Sequence, residues 1–139
     1  MKDTILVVEG IPSLRKQLES FLTADYHIYA VPNYLESISA LRRISPEMVI
    51  INASLPVVDG WEACREIIRD FGLPVMLLGK NNDNSCWERA FEAGADFYLK
   101  IPFSKLEILC RIKAILRRTR RSANPPPSLS RQPLIRKQA

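Results

Sequence analysis

Short apolar runs alternate with amphipathic stretches along most of the chain. A continuous run of four or five apolar and β-branched residues is typical of a strand that is covered on both faces. Such runs predict five strands, at residues 4–8, 27–31, 48–51, 74–78 and 96–100.

The stretches between these runs repeat apolar residues three or four positions apart, as helices that bury one face do. The first predicted helix follows Pro12, with Ser13 as its N-cap. The third spans Gly60 to Asp70, and the fourth ends at Gly94. The second and fifth are marked by the apolar positions Leu35, Ile38 and Leu41, and by Leu106, Leu109, Ile112 and Leu116.

Strands and helices that alternate with short connections predict an α/β fold with one parallel sheet. The expected architecture is a doubly wound, five-stranded sheet with helices on both faces, which makes three layers. Ligands of such sheets bind beyond the carboxyl ends of the strands, where the strand order reverses. The residues to examine therefore lie at 8–10, 52–54, 78–80 and 100–102.

The composition fits one soluble domain. The chain has 139 residues, of which 47% are apolar and 25% charged, and no apolar run approaches the ~18 residues that span a bilayer. The start, MKDTILVVEG, lacks the pattern of a secretory signal, so we expect a cytoplasmic location and no membrane contact. Cys64, Cys86 and Cys110 form no CxxC motif and are expected to be reduced thiols in helices.

The net charge of +5 is unevenly distributed. Residues 1–110 carry 11 Lys/Arg and 15 Asp/Glu, a net −4, whereas residues 111–139 carry 9 Lys/Arg and no acid, a net +9. The high pI is thus no evidence that the globular part binds nucleic acid. A solvated helix end and linker is the favoured interpretation of the basic end, and direct binding of nucleic acid is the alternative.

The last 18 residues differ in composition from the rest. Residues 122–139, SANPPPSLSRQPLIRKQA, contain four prolines and no acid, which predicts a disordered linker after a globular part at 1–121.

Three motifs resemble one known family. They are ILVVEG at the first strand, LPVVDGWEACREI at the third helix and FEAGADFYLKIPF at the fifth strand. From about residue 2 to 121, the chain resembles the receiver domain of two-component response regulators, which are CheY-like. The resemblance implies a flavodoxin-like (βα)5 fold, a non-enzymatic signalling role and protein partners. It also implies that the linker leads to a DNA-binding effector domain, and that DNA is contacted only by that domain.

The resemblance also implies a phosphorylation cup at the strand ends. The family places two acids after the first strand, and this chain has Glu9 and Gly10 there. The family's acceptor aspartate is Asn52 here, its Ser or Thr after the fourth strand is Gly79, and its Lys before the proline is Ile101. We call these five residues the cup.

Four of the five positions lack the family's chemistry. An amide cannot take a phosphoryl group as a carboxylate does, and one remaining acid is a poor magnesium site. We therefore predict a degenerate pseudo-receiver with no catalytic residue, no cofactor, and weak or absent magnesium binding. Glu9 is expected to be a partly exposed strand-end acid, although a cation or a partner could use it. Asn52 is either a structural amide bonded to nearby backbone or a reader of a small polar ligand.

Other family positions are kept. Tyr98 matches the switch aromatic, whose inward or outward rotamer reports phosphorylation, and without a hydroxyl at residue 79 it is expected to be fixed in one state or moved by a partner. Pro102 matches a proline that follows a cis bond. A homodimer is expected through the fourth helix, fifth strand and fifth helix, with candidate interface residues Trp87, Lys100, Arg111 and Ile112. Lys100 is expected to face solvent.

The favoured function is therefore a phosphorylation-independent interaction module that controls a DNA-binding output. The alternative is a conventional receiver that is phosphorylated on an unusual residue. Asp59 is the candidate for such a residue, but its DG sequence favours a role in the turn.

Overall fold

The computed structural model describes residues 2–81 and 83–123. It contains the five predicted strands and five predicted helices in alternation. The strands are β1 Thr4–Val8, β2 His27–Val31, β3 Met48–Asn52, β4 Val75–Gly79 and β5 Phe97–Lys100. The helices are α1 Pro12–Leu22, α2 Tyr34–Ile44, α3 Gly60–Phe71, α4 Asn84–Ala93 and α5 Lys105–Ala123.

All strand pairs are parallel, and the strand order is β2-β1-β3-β4-β5. The order reverses between β1 and β3, which places their carboxyl ends at the switch point where sheets of this kind bind ligands. The register sets Val8 beside Ile51, so the next residues of the two strands are also neighbours.

The sheet has an apolar cluster on each face, as the continuous apolar runs predict. Residues of α2, α3 and α4 pack on one face against alternate strand positions such as Ile51 and Leu77. Residues of α1 and α5 pack on the other face against the intervening positions, such as Ile50 and Leu78. The expected three-layer, doubly wound fold is confirmed.

Ser13 is not the N-cap of the first helix. The helix begins at Pro12, and the preceding residue, Ile11, offers no side-chain hydrogen bond to the free N–H groups. Proline suits the first helical position because its fixed φ matches the helix and its missing N–H would have no partner there. The apolar pattern located this helix correctly, but the cap was misplaced.

The end of α5 bears on the predicted linker. Ser122 and Ala123 belong to the helix, so the helix extends two residues past the boundary expected at residue 121. The rest of the predicted linker, 124–139, lies outside the described residues.

Candidate functional site

Glu9 and Asn52 form a buried pair at the switch point. The side-chain amide of Asn52 donates from Nδ2 to Glu9 Oε1 over 2.7 Å. Their exposures are 0% for Glu9 and 4% for Asn52. The expectation that Glu9 is a partly exposed acid was therefore wrong, because the parallel register brings the amide against its carboxylate and closes it off from solvent.

The other two side-chain oxygens of this pair also have partners. Glu9 Oε2 accepts from the backbone N–H of Ile11 at 3.0 Å, and Asn52 Oδ1 accepts from the N–H of Ser54 at 2.8 Å. The Arg15 guanidinium donates to the backbone carbonyl of Glu9 at 2.7 Å. Asn52 thus bonds to nearby backbone, as the structural interpretation of this amide expects. A buried carboxylate that faces two N–H donors is stabilised without a cation.

Gly10 lies against the loop between β3 and α3. A Cβ built on Gly10 would lie 3.3 Å from Cδ of Pro56 and 3.4 Å from the carbonyl oxygen of Pro32. A side chain at residue 10 would therefore require Pro56 or Pro32 to shift by a few tenths of an ångström. Pro56 packs closely against the position where the resemblance implies a second acid.

Ile101 lies on the α1/α5 side of the sheet. It is half-buried against the apolar cluster on that face, and its backbone N–H donates to the carbonyl of Gly79 at 2.7 Å. Lys100 precedes it and is exposed, as expected from the alternation of strand residues. The Ile101–Pro102 bond is cis, as expected.

Tyr98 points inward and is 2% exposed. Its hydroxyl donates to the carbonyl of Asn81 at 2.6 Å. Its ring is stacked on Trp61, with centroids 5.7 Å apart and planes 9° apart, and meets Trp87 edge-on at 5.9 Å. Burial, followed by the hydrogen bond with the Cys86 side chain, raises the pKa of Tyr98 to about 12. Tyr98, which the resemblance matches to the switch aromatic, is therefore closely packed in its inward position.

A cleft of about 480 Å³ opens beside Tyr98, between the end of β4 and the first turns of α4. The guanidinium of Arg89 lies 4.7 Å from the ring centroid of Trp61 at its wall. Sequence patterns did not single out Arg89, Pro56 or Arg15. The stacking of Trp61 on a residue of β5 could not be read from local pattern, because it depends on strand order.

The surface formed by α4, β5 and α5 carries exposed apolar side chains. Trp87, Phe91 and Leu106 are 41%, 81% and 72% exposed. The guanidinium of Arg111 lies 4.2 Å from the ring centroid of Phe97. Ile112 is not part of this surface: it is 0% exposed and packs in the core. The apolar pattern of the fifth helix predicted that Ile112 is buried. The assignment of Ile112 to the interface was wrong.

Two arginines near the end of α5 are paired with acids of the same domain. Arg118 lies 3.7 Å from the carboxylate of Asp96, and Arg120 pairs with Asp3. Ion pairs exposed to this extent contribute little stability. They nevertheless offset part of the positive charge that the sequence concentrates at this end.

Comparison with known proteins identifies the family to which this fold belongs. Residues 5–113 match the family described as "Response regulator receiver domain". The chain belongs to this family.

The curated relatives of this receiver domain include longer regulators. One is described as "Probable transcriptional regulator ycf27" in Guillardia theta, and is 33% identical over 123 residues, which cover 88% of this chain and 48% of the relative. Another is the "DNA-binding response regulator MtrA" of Mycolicibacterium smegmatis, 31% identical over 85% of this chain and 52% of the relative. The chain thus spans about half the length of these relatives.

Solved structures agree with this membership. The response regulator DrrB of Thermotoga maritima, described as an OmpR/PhoB homologue, aligns with a TM-score of 0.79 at 27% identity, covering 86% of this chain and 54% of that one. Within residues 2–81 and 83–123, no helix is long and apolar enough to cross a membrane.

Proposed function

We propose that this receiver domain works without phosphorylation and transmits its signal through contact with other proteins. The observation that carries the proposal is the buried hydrogen bond from the Asn52 amide to the Glu9 carboxylate. Asn52 stands where the family has its acceptor.

Phosphoryl transfer to a receiver needs a carboxylate nucleophile. The amide nitrogen of Asn52 is delocalised and donates to Glu9, and its oxygen is held by the N–H of Ser54. Gly79 has no hydroxyl and Ile101 no charge, so these positions would neither read nor balance an added phosphoryl group. These absences together support a cup that is no longer used for this chemistry.

Magnesium fits the pair poorly. Hard divalent cations take oxygen ligands and usually more than one carboxylate. Here one carboxylate, Glu9, is faced by the amide N–H of Asn52 and the backbone N–H of Ile11. In the described part of the chain, no group of three or more His, Cys, Asp or Glu side chains is arranged to hold a metal.

Asp59 has a structural role that argues against its use as a substitute acceptor. Its Oδ1 accepts from the backbone N–H of Glu62 at 2.9 Å and so caps α3. Such caps contribute roughly 1 kcal/mol. Asp59 therefore stabilises the loop that follows β3.

The test is an intact-mass measurement after incubation with a small phosphodonor and magnesium. We expect no gain of a phosphoryl group under conditions that phosphorylate a receiver with an aspartate acceptor, which serves as the positive control. A gain that persists in Asn52→Ala but disappears in Asp59→Asn would refute the proposal and favour the conventional alternative.

The surface of α4, β5 and α5 is the proposed contact for a homodimer. Phe91 and Leu106 expose most of their side chains there, and burying such residues between two copies removes apolar surface from water. Trp87 and Arg111, both types that often anchor interfaces, lie beside them.

Analytical ultracentrifugation of Phe91→Asp tests this contact. We expect the variant to raise the dimer dissociation constant at least roughly tenfold, because a charge would be placed in the buried centre of the contact. Leu35→Asp is the matched control, since Leu35 is 75% exposed on α2 and lies on another surface. Equal effects of the two substitutions, or a monomeric parent protein, would remove the support for this interface.

We further propose that the output is control of transcription through a DNA-binding domain. The support is the similarity to MtrA and ycf27, which are about twice as long as the matched region. The ion pairs of Arg118 and Arg120 within the domain argue against the basic helix end as an independent nucleic-acid site. A gel-shift titration of this domain at several salt concentrations tests whether the basic helix end binds DNA by itself. We expect only weak binding that is independent of DNA sequence.

A further inference from the structure

The cleft beside Tyr98 has the size and the aromatic wall of a small-molecule site. Its volume of about 480 Å³ lies within the range of roughly 300–1,000 Å³ that ligand pockets occupy. Tyr98 is stacked on Trp61, and the guanidinium of Arg89 lies 4.7 Å from the ring centroid of Trp61. All three residues line the cleft. A planar ligand would therefore extend a stack of flat groups that is already in place.

Two cations at this cleft have no acidic partner. Lys80 follows the end of β4, Arg89 lies on α4, and both side chains are exposed. Among the side chains that the structure describes, neither of these two takes part in an ion pair or a hydrogen bond. The arginines that do pair with carboxylates are Arg65, Arg69, Arg118 and Arg120. An anion that enters the cleft thus meets two positive charges that no direct partner balances.

Three carboxylates at the same cleft limit the charge that such an anion can carry. They are Asp83, Glu88 and Glu92. Asp83 is already engaged as the N-cap of α4, since it accepts from the N–H of Cys86 and from the hydroxyl of Ser85. Glu88 and Glu92 are exposed on α4. Because like charges repel, a polyanion is disfavoured here, and a flat ligand with a single negative charge fits the cleft better.

We propose that this cleft is a binding site for small planar monoanions, of the chemical class of aromatic carboxylates. The ring of the ligand stacks against Trp61 and Arg89, and its carboxylate pairs with Arg89 and Lys80. Glu9 and Asn52 already bond to each other and to backbone, so the ligand lies beside that pair and does not replace it. The inference goes beyond the proposed function, because it concerns a small ligand rather than phosphorylation or contact between proteins.

The test is a titration of the domain with 2-naphthoate, a planar aromatic carboxylate, followed by proton–nitrogen NMR. The reporters are the indole N–H of Trp61 and the Nε–H of Arg89, assigned by their loss in Trp61→Phe and Arg89→Gln. We expect saturable shifts of both resonances with a dissociation constant below about 1 mM. The neutral amide 2-naphthamide has nearly the same shape, and we expect it to bind at least roughly threefold more weakly. Adenosine triphosphate, a flat ligand with several negative charges, should also bind more weakly than 2-naphthoate.

Substitutions of exposed cations test the contacts of the ligand, with the Trp61 indole as the reporter. Arg89→Gln removes both a stacking group and a charge, so we expect it to raise the dissociation constant at least roughly fivefold. Lys80→Gln removes only an exposed charge and should raise it about two- to fivefold. Arg43→Gln is the matched control and should leave it unchanged. Arg43 is also exposed and lies over a ring, 5.5 Å from the centroid of Tyr29, but it does not line the cleft.

Four results would overturn the inference. One is the lack of a saturable shift with a dissociation constant below about 1 mM. Another is equal affinity for 2-naphthoate and its amide, and a third is tighter binding of adenosine triphosphate. The fourth is an equal effect of Arg89→Gln and Arg43→Gln, whether both weaken binding or neither does. None of these depends on the phosphodonor experiment or on the oligomeric state, so the proposals can fail separately.

Discussion

Replacing Asn52 by Asp should destabilise the domain rather than repair the cup. The substitution changes one side-chain nitrogen to oxygen and keeps the shape. It removes the donor of the 2.7 Å bond to Glu9 and places a second carboxylate beside a fully buried one. The perturbation is therefore almost purely electrostatic.

The expected magnitude follows from the distance. Two unit charges about 4 Å apart repel by ~4 kcal/mol at an effective dielectric constant of about 20. Loss of a hydrogen bond to a charged group costs about 1.5–3 kcal/mol, which is of the same order. In a domain of this size, the loss corresponds to a fall of roughly 10–20 °C in Tm.

Urea unfolding followed by the fluorescence of Trp61 and Trp87 measures this loss of stability. The change of the loss with pH tests whether charge repulsion causes it. The folded variant gains by binding a proton between the two carboxylates, so it binds protons more tightly than the unfolded chain. Its deficit relative to the parent protein should therefore shrink as the pH falls from 7 towards 5.

Two further measurements isolate the cause. The swapped variant Glu9→Gln with Asn52→Asp again has one amide and one carboxylate, so it should recover most of the lost stability. Magnesium should stabilise Asn52→Asp by binding its two carboxylates, and should leave the parent protein unchanged. An Asn52→Asp variant within about 0.5 kcal/mol of the parent protein and insensitive to pH would refute the reasoning, since buried like charges must repel.

Three other substitutions test separate parts of the structure. Ile112→Ala should cost about 2–5 kcal/mol in urea unfolding, because Ile112 is fully buried and not at an interface. Val57→Asn should raise stability by about 0.5–1 kcal/mol, because Val57 is fully exposed with a φ of 68° that β-branched residues tolerate poorly and Asn tolerates well. The raised pKa of Tyr98, about 12 against 10.0 when unfolded, gives stability that is present below pH 10 and lost as the pH rises towards 12. Tyr98→Phe should reduce that loss between pH 10 and 12, and unchanged pH dependence in the variant would exclude Tyr98 as its source.

The sequence predicted what depends on local pattern. Apolar runs and helical spacing located every strand and helix, and the strand-end rule selected the positions of Glu9, Asn52 and Gly79. The pattern did not show that Glu9 is buried, since burial there follows from the alignment of β1 with β3. For the same reason the contact between Gly79 and Tyr98 was missed, because it requires β4 and β5 to be neighbours.

At three of the four positions where this chain departs from the expected cup, a neighbour fits the residue that is present. The amide at Asn52 satisfies the Glu9 carboxylate, Pro56 lies against Gly10, and the Tyr98 ring fills the space over Gly79. Had these residues been lost without adjustment, an unpaired buried carboxylate and empty space would remain, and both are costly. Because each of these three residues is part of a local packing or hydrogen-bonding arrangement, we expect that restoring any one of the three family residues alone costs stability without restoring phosphorylation. The geometry at Asn52, Gly10 and Gly79 is what supports the proposal that this receiver domain works without phosphorylation.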